Sequence, residues 1–221
     1  MGPDDQKLKA ALEELRERGK ALLVAGAVPD AIHQQACSEL FNGDAGRILI
    51  KTGRGQAAGV TPNDSDRVIE YDSGARSAST AASTASGPGG TGTLAGEFSG
   101  TNVTTVSTIP AAEQAFEDAL AELQDTDTPT RVCVDSVLPF IDTAGEEQAF
   151  TFLHAVTGQV RNLGGTAHFH LSLPSDSATV RTFESLAEVT VELELADDQA
   201  QQRWRVHEED VTSDWLPITD E

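Results

Sequence analysis

A doubly wound α/β fold, its mostly parallel sheet flanked by helices and followed by a C-terminal antiparallel hairpin, is what this chain predicts, on three observations. Short continuous apolar runs, Ala21-Leu22-Leu23-Val24-Ala25 first among them, read as strands buried on both faces of a parallel sheet. Those runs alternate with segments of helical apolar periodicity, as βαβ units do. The last two strand-like runs are joined by a polar turn and have no helix between them. The 221 residues suit one α/β domain, 1–221, with an insertion, and they suffice for a sizeable core.

The elements follow in order. Leu8, Leu12 and Leu15 recur at helical spacing between Asp4-Asp5 and Gly19, predicting an N-terminal helix. Strand 20–25 leads into a helix from about Pro29 to Asn42, with Pro at its start and Gly43 at its end. Strands at 47–51 and 67–71 come next, separated by a Gly-rich turn region. The stretch 73–100 reads SGARSASTAASTASGPGGTGTLAGEFSG, too poor in large apolar side chains to offset its ordering entropy, and a low-complexity, disordered insertion is expected there. A strand at 102–107 and a helix at 111–124 follow, the helix with Ala115, Phe116, Ala119, Leu120 and Leu123 on one face. Strand 130–136 is followed by a loop, helix 146–163, strand 166–173, helix 177–186, and strands 188–195 and 203–207 joined by a turn at 196–202. Residues 208–221 form an acidic tail whose Trp215-Leu216-Pro217 either docks on a partner or folds back onto its own domain.

Charge narrows the function classes. The formal net charge is -21, Lys occurs only at Lys7, Lys9, Lys20 and Lys51, and carboxylates are spread along the whole chain. Such a balance repels nucleic acid and anionic membrane at ordinary ionic strength, and no Arg or Lys cluster stands out as a DNA-binding patch. It suits a protein working in molar salt, where screening shortens to roughly 3 Å and carboxylates keep the surface hydrated. No apolar run approaches the roughly 18 residues of a membrane span and no leader is evident, so a soluble, cytoplasmic protein is expected. Cys37 and Cys133 lack C-x-x-C spacing and read as buried thiols acting as small apolar groups; a disulfide between them stays open, although a cytoplasmic location disfavours it.

The segment after the first strand, Gly26-Ala27-Val28-Pro29-Asp30-Ala31-Ile32-His33, occupies the place of a phosphate-binding loop without its chemistry. A Walker A loop, G-x-x-x-x-G-K-[ST], cradles phosphates on backbone N–H groups, neutralises them with Lys and holds Mg²⁺ with a hydroxyl. Only Gly26 fits that pattern: Ala31 replaces the second Gly, Ile32 the Lys and His33 the Ser or Thr, while Asp30 adds a negative charge. His33 either hydrogen-bonds a ligand or, more simply, sits on the helix surface. In the second half, Thr130-Arg131-Val132-Cys133-Val134-Asp135-Ser136 has the Walker B form, a buried strand that presents a carboxylate at its C-terminal edge. Asp135 either retains a cation or ligand or merely hydrogen-bonds a neighbouring strand loop. Gly26, Ala31, His33, Asp135 and Ser136 thus outline a degenerate nucleotide or ligand crevice. His168 and His170, at i and i+2 on one strand, share a face, with His154 on the preceding helix. No Cys or carboxylate lies close by in sequence to complete a ligand set, so a half-buried pair packed against that helix is expected, with Phe169 facing the other way and neither metal nor cofactor bound.

Residues 131–136, the helix 146–164 and Gly165-Thr166-Ala167-His168-Phe169-His170 resemble the matching segments of the KaiC branch of the RecA superfamily. More closely, 150–160 together with 167–171 is similar to an uncharacterised haloarchaeal family of KaiC-like proteins, over roughly 20–194 apart from the insertion. The resemblance implies a RecA/KaiC-like sheet and carries one clear Walker residue, Asp135. The paired acids such ATPases place after their second strand would fall at 52–56, which here reads Thr-Gly-Arg-Gly-Gln. Loss of Lys, hydroxyl and general base each costs orders of magnitude in phosphoryl transfer, so the resemblance implies a pseudo-ATPase with no catalytic residue. Three roles follow as expectations: a regulatory or scaffold protein acting through a protein partner or self-association; a sensor that binds a nucleotide or small molecule without hydrolysis; an ATPase with non-standard groups.

Overall fold

The computed structural model describes residues 19–41, 45–52, 62–63, 65–72, 102–124 and 128–218, with Lys7, Ala10 and Glu13. The predicted N-terminal helix, apart from those last three helical positions, and the insertion 73–100 lie outside the described residues.

Strand β1, Lys20–Ala25, is buried at all but its first residue, as a continuous apolar run in a parallel sheet should be. Helix α1, Asp30–Phe41, follows it and leads to β2, Gly46–Thr52, and β3, Arg67–Tyr71. Then come β4, Val103–Val106, and helix α2, Ile109–Gln124, which buries Phe116, Ala119, Leu120 and Leu123 as its periodicity requires. Strand β5, Thr130–Val134, precedes two helices, α3, Leu138–Ala144, and α4, Glu146–Asn162. After β6, Thr166–Leu171, helix α5, Ala178–Glu184, is capped by Ser177, whose hydroxyl accepts the Val180 N–H at 3.2 Å. The chain ends in β7, Val189–Ala196, β8, Gln199–Val206, β9, Val211–Thr212, and β10, Leu216–Pro217.

These ten strands form one sheet in the order β10-β8-β7-β1-β6-β5-β2-β3-β4, with β9 also paired to β8. Every pairing from β7 to β4 is parallel, and β8 pairs antiparallel with β7, β9 and β10. Helices α2 to α5 pack on one face over Leu23, Ile48, Ile50, Val132, Val134 and Phe169. Helix α1 covers the other, where Ile32 and Ala36 meet Leu22, Val24 and Val191. The predicted doubly wound sheet and its closing hairpin are therefore what the chain builds.

Three local expectations are corrected. The loop expected between Asp135 and Glu146 contains α3, too short to show periodicity, started by Pro139 and stopped at Gly145, whose φ of 90° only glycine adopts readily. The turn expected over 196–202 shrinks to Asp197-Asp198, both left-handed with φ of 49° and 60°, a two-residue hairpin turn matched to strand twist. The polar run Gln199-Ala200-Gln201-Gln202 hid the start of β8 because the strand is only half-buried. The tail folds back through residue 218: Leu216 and Pro217 pair with Gln202 and Gln201, Ile218 is buried, and the Arg203 guanidinium lies 4.6 Å from the Trp215 ring centre.

Candidate functional site

Parallel pairing of β1, β6 and β5, with Ala25 opposite Leu171 and Val134 opposite Phe169, brings Gly26, Asp135 and the end of β6 to one edge of the sheet. This is the crevice position of open α/β sheets. The segment that enters it is closed from within. Gly26 is buried, its N–H reaches the Leu171 carbonyl at 3.4 Å, and a Cβ there would stand 2.4 Å from the Leu193 carbonyl oxygen, so only glycine fits beneath β7. Helix α1 already includes Ala31, Ile32 and His33. Ala31 is exposed, while Ile32, at the position of the Walker lysine, packs into the apolar cluster of β1 and β7, and its N–H is bonded to the Pro29 carbonyl at 2.9 Å.

The surface position expected for His33 is corrected. It is 5 % exposed, its Nε2 lies 2.9 Å from the Gly26 carbonyl and its Nδ1 lies 3.2 Å from His170 Nδ1. Burial, reinforced by His170, lowers its pKa to about 4, so it is uncharged at neutral pH and offers a phosphate no positive charge.

Asp135 leaves the end of β5 and turns toward β2. Its Oδ1 accepts the Thr52 N–H and hydroxyl, each at 2.8 Å, and Thr52 Oγ1 also stands 2.7 Å from the carbonyl of buried Ser136. Of the two readings of Asp135, the hydrogen-bonded neighbouring strand is the one these contacts make. Oδ2 is shielded from solvent with no hydrogen-bond partner among the described residues, and burial raises the carboxyl to about 7 against the Thr52 hydrogen bonds that lower it. Of positions 52–56, only Thr52 is described.

The larger correction concerns His168 and His170. Phe169 does face the opposite side, into the core beneath α4, but the histidines therefore face α1 and not the preceding helix, and both are 1 % exposed. Cys133 lies beside His168 in the β5–β6 register, and Cys37 descends onto them from α1. The two Sγ atoms are 3.0 Å apart, and Cys37 Sγ is 3.2 Å from His168 Nε2. One ligand atom from each of the four residues falls within 4.8 Å of all the others. The ligand set that seemed incomplete is completed by residues distant in sequence. Within the thiol pair, burial pushes Cys133 up, while the hydrogen bond from Cys133 lowers Cys37, which makes Cys37 the more acidic of the two. Both cysteines are free, not bridged. Burial also lowers His170. His154 stays apart, stacked on Phe150 at 6.4 Å.

The signals for this cluster were present as spacings: His33 and Cys37 at i and i+4 on one helix face, His168 and His170 at i and i+2 on one strand face. Their convergence depends on β5 lying beside β6 and on α1 crossing that face. No described helix is long and apolar enough to cross a membrane. No protein of curated function matches the chain. Residues 19–193, from the start of β1 almost to the end of β7, match a family of unknown function, and the chain belongs to that family, DUF7504.

Proposed function

We propose that this protein is a non-catalytic regulatory or scaffold module of KaiC-like, RecA-type descent, acting through a protein partner or through self-association in a salt-rich cytoplasm. One observation carries the loss of catalysis: the site of a phosphate loop is filled by its own residues. Ile32 is turned into the apolar core, His33 is uncharged and tied to the Gly26 carbonyl, and Asp30 is the charged residue at the helix start. The segment 26–33 offers a triphosphate no Lys, no hydroxyl and no free N–H on Gly26 or Ile32. Asp135 commits its Oδ1 to the backbone and hydroxyl of Thr52 on the neighbouring strand. A fold that keeps its sheet and loses its phosphate chemistry retains its surfaces as its means of action.

The test is calorimetric titration of ATP and of ADP with Mg²⁺ into the protein in molar KCl, alongside assay of phosphate release. Neither heat nor release is expected. Saturable binding without release would replace the scaffold reading with a nucleotide sensor, and release abolished in Asp135→Asn would replace it with an ATPase.

A further inference from the structure

Beneath the filled crevice, the buried cluster of Cys37, Cys133, His168 and His170 has a composition that the scaffold reading leaves unused. Three rigid elements supply it: α1 gives Cys37, β5 gives Cys133, and β6 gives both histidines. The hydrogen bonds around it also specify which nitrogen of His170 is available. The Gly26 carbonyl can only accept, so the proton of that bond sits on His33 Nε2. Buried and uncharged, His33 then has a lone pair on Nδ1, and His170 Nδ1, 3.2 Å away, must be the donor. The remaining nitrogen, His170 Nε2, is left as a bare lone pair, buried and with no partner at hydrogen-bond geometry among the described residues, the Cys37 thiol interacting with the ring only from longer range. A buried acceptor without a partner calls for an explanation, and a cation among two sulfurs and two imidazoles supplies one.

We propose that Cys37, Cys133, His168 and His170 form a closed structural site for a divalent ion of the zinc class, which staples α1 to β5 and β6. Tetrahedral binding through sulfur at ~2.3 Å and nitrogen at ~2.0–2.1 Å places donors about 3.3–3.8 Å apart. The Sγ–Sγ contact of 3.0 Å must open by about 0.8 Å, and a separation as wide as 4.8 Å, which is not the one between the sulfurs, must close by about 1.2–1.5 Å, which side-chain torsions can supply. Charge selects the ion. Two thiolates and one divalent cation sum to zero, so the loaded site buries no net charge, whereas a monovalent ion would leave one negative charge in the core. Sulfur and imidazole donors exclude Ca²⁺ and Mg²⁺, which take oxygen. All four positions are filled by protein, which leaves none open for substrate. His33 is a positioning residue: through Nδ1 it fixes the His170 tautomer, as outer partners of ligating histidines do. Binding breaks two S–H bonds, releases two protons to solvent and changes no oxidation state.

The experiment is a titration of the full chain with Co²⁺ alone, after reduction and chelator treatment in molar KCl, followed by Zn²⁺. One Co²⁺ per chain is expected, with a thiolate-to-cobalt charge-transfer band, the visible bands of tetrahedral cobalt and release of two protons per ion. One equivalent of Zn²⁺ should then bleach the spectrum and raise the midpoint of thermal unfolding. The double variant Cys37→Ala/Cys133→Ala, if its far-ultraviolet circular dichroism is unchanged, should lose both the band and the one-to-one stoichiometry. If that variant does not fold, the wild-type titration decides alone. Absence of saturable binding to the reduced protein, a cobalt spectrum without the charge-transfer band, or recovery of both thiols as freely reactive in the presence of stoichiometric Zn²⁺ would each overturn the proposal.

Discussion

Thr52 and Asp135 show how a residue of Walker B form is tied to the strand beside it. Asp135 stands where a parallel strand delivers a carboxylate to the crevice, yet its Oδ1 is engaged by the backbone and hydroxyl of Thr52 on the neighbouring strand. Replacing Thr52 by Val keeps the size of the side chain and the backbone N–H but removes the hydroxyl that reaches both Asp135 and the Ser136 carbonyl. The expected loss is about 1–3 kcal/mol, the cost of leaving buried polar groups unsatisfied. Chemical denaturation in molar KCl measures it, and a Thr52→Val protein as stable as wild type would show that the Asp135 contact carries no weight. The same scale contains what sequence reading missed. Cys37 and Cys133 are 96 residues apart, and nothing in either one's neighbourhood names the other as a partner.

At the scale of elements, the junction of β1, α1 and β7 controls the crevice. Gly26 sits under β7 so closely that an added Cβ would meet the Leu193 carbonyl oxygen at 2.4 Å and the Leu193 Cβ at 2.9 Å. The obstacle is backbone, so no rotamer change relieves it. Gly26→Ala must push the end of β1 away from β7 and carry with it the carbonyl that holds His33. A loss of about 1–3 kcal/mol or more is expected from such overpacking. Thermal and denaturant unfolding test it; wild-type stability in Gly26→Ala would mean that the strand ends yield freely. Elements were legible where their periodicity was long or their burial two-sided, as in β1, α2 and α4. Helix α3 was not, because seven residues give too few turns to reveal an apolar face.

At the scale of the molecule, the net charge of -21 opposes the compact state through self-repulsion, most strongly where salt does not screen it. Ion pairs offset part of this: Arg47 holds Asp66 with two hydrogen bonds, Nε to Oδ1 at 2.8 Å and NH2 to Oδ2 at 2.6 Å, Arg203 engages Glu192 across the β7–β8 pair, and Arg205 of β8 engages Glu184 at the end of α5. The midpoint of thermal unfolding should rise steadily from low salt to molar KCl. A midpoint that stays flat or falls would show that the acidic surface is no adaptation to salt.

The sequence by itself determined the class of fold, because two-sided burial and helical periodicity are local properties that the chain carries residue by residue. It also determined the absence of a Walker lysine and hydroxyl, a matter of composition at known spacing. Tertiary structure alone decided what fills the vacated place and what lies beneath it. Strand order and the path of α1 set which residues on the α1-facing side of the sheet become neighbours, and those depend on packing among elements far apart in the chain. Only with β5 beside β6 and α1 above them do His33, Cys37, Cys133, His168 and His170 become one buried group.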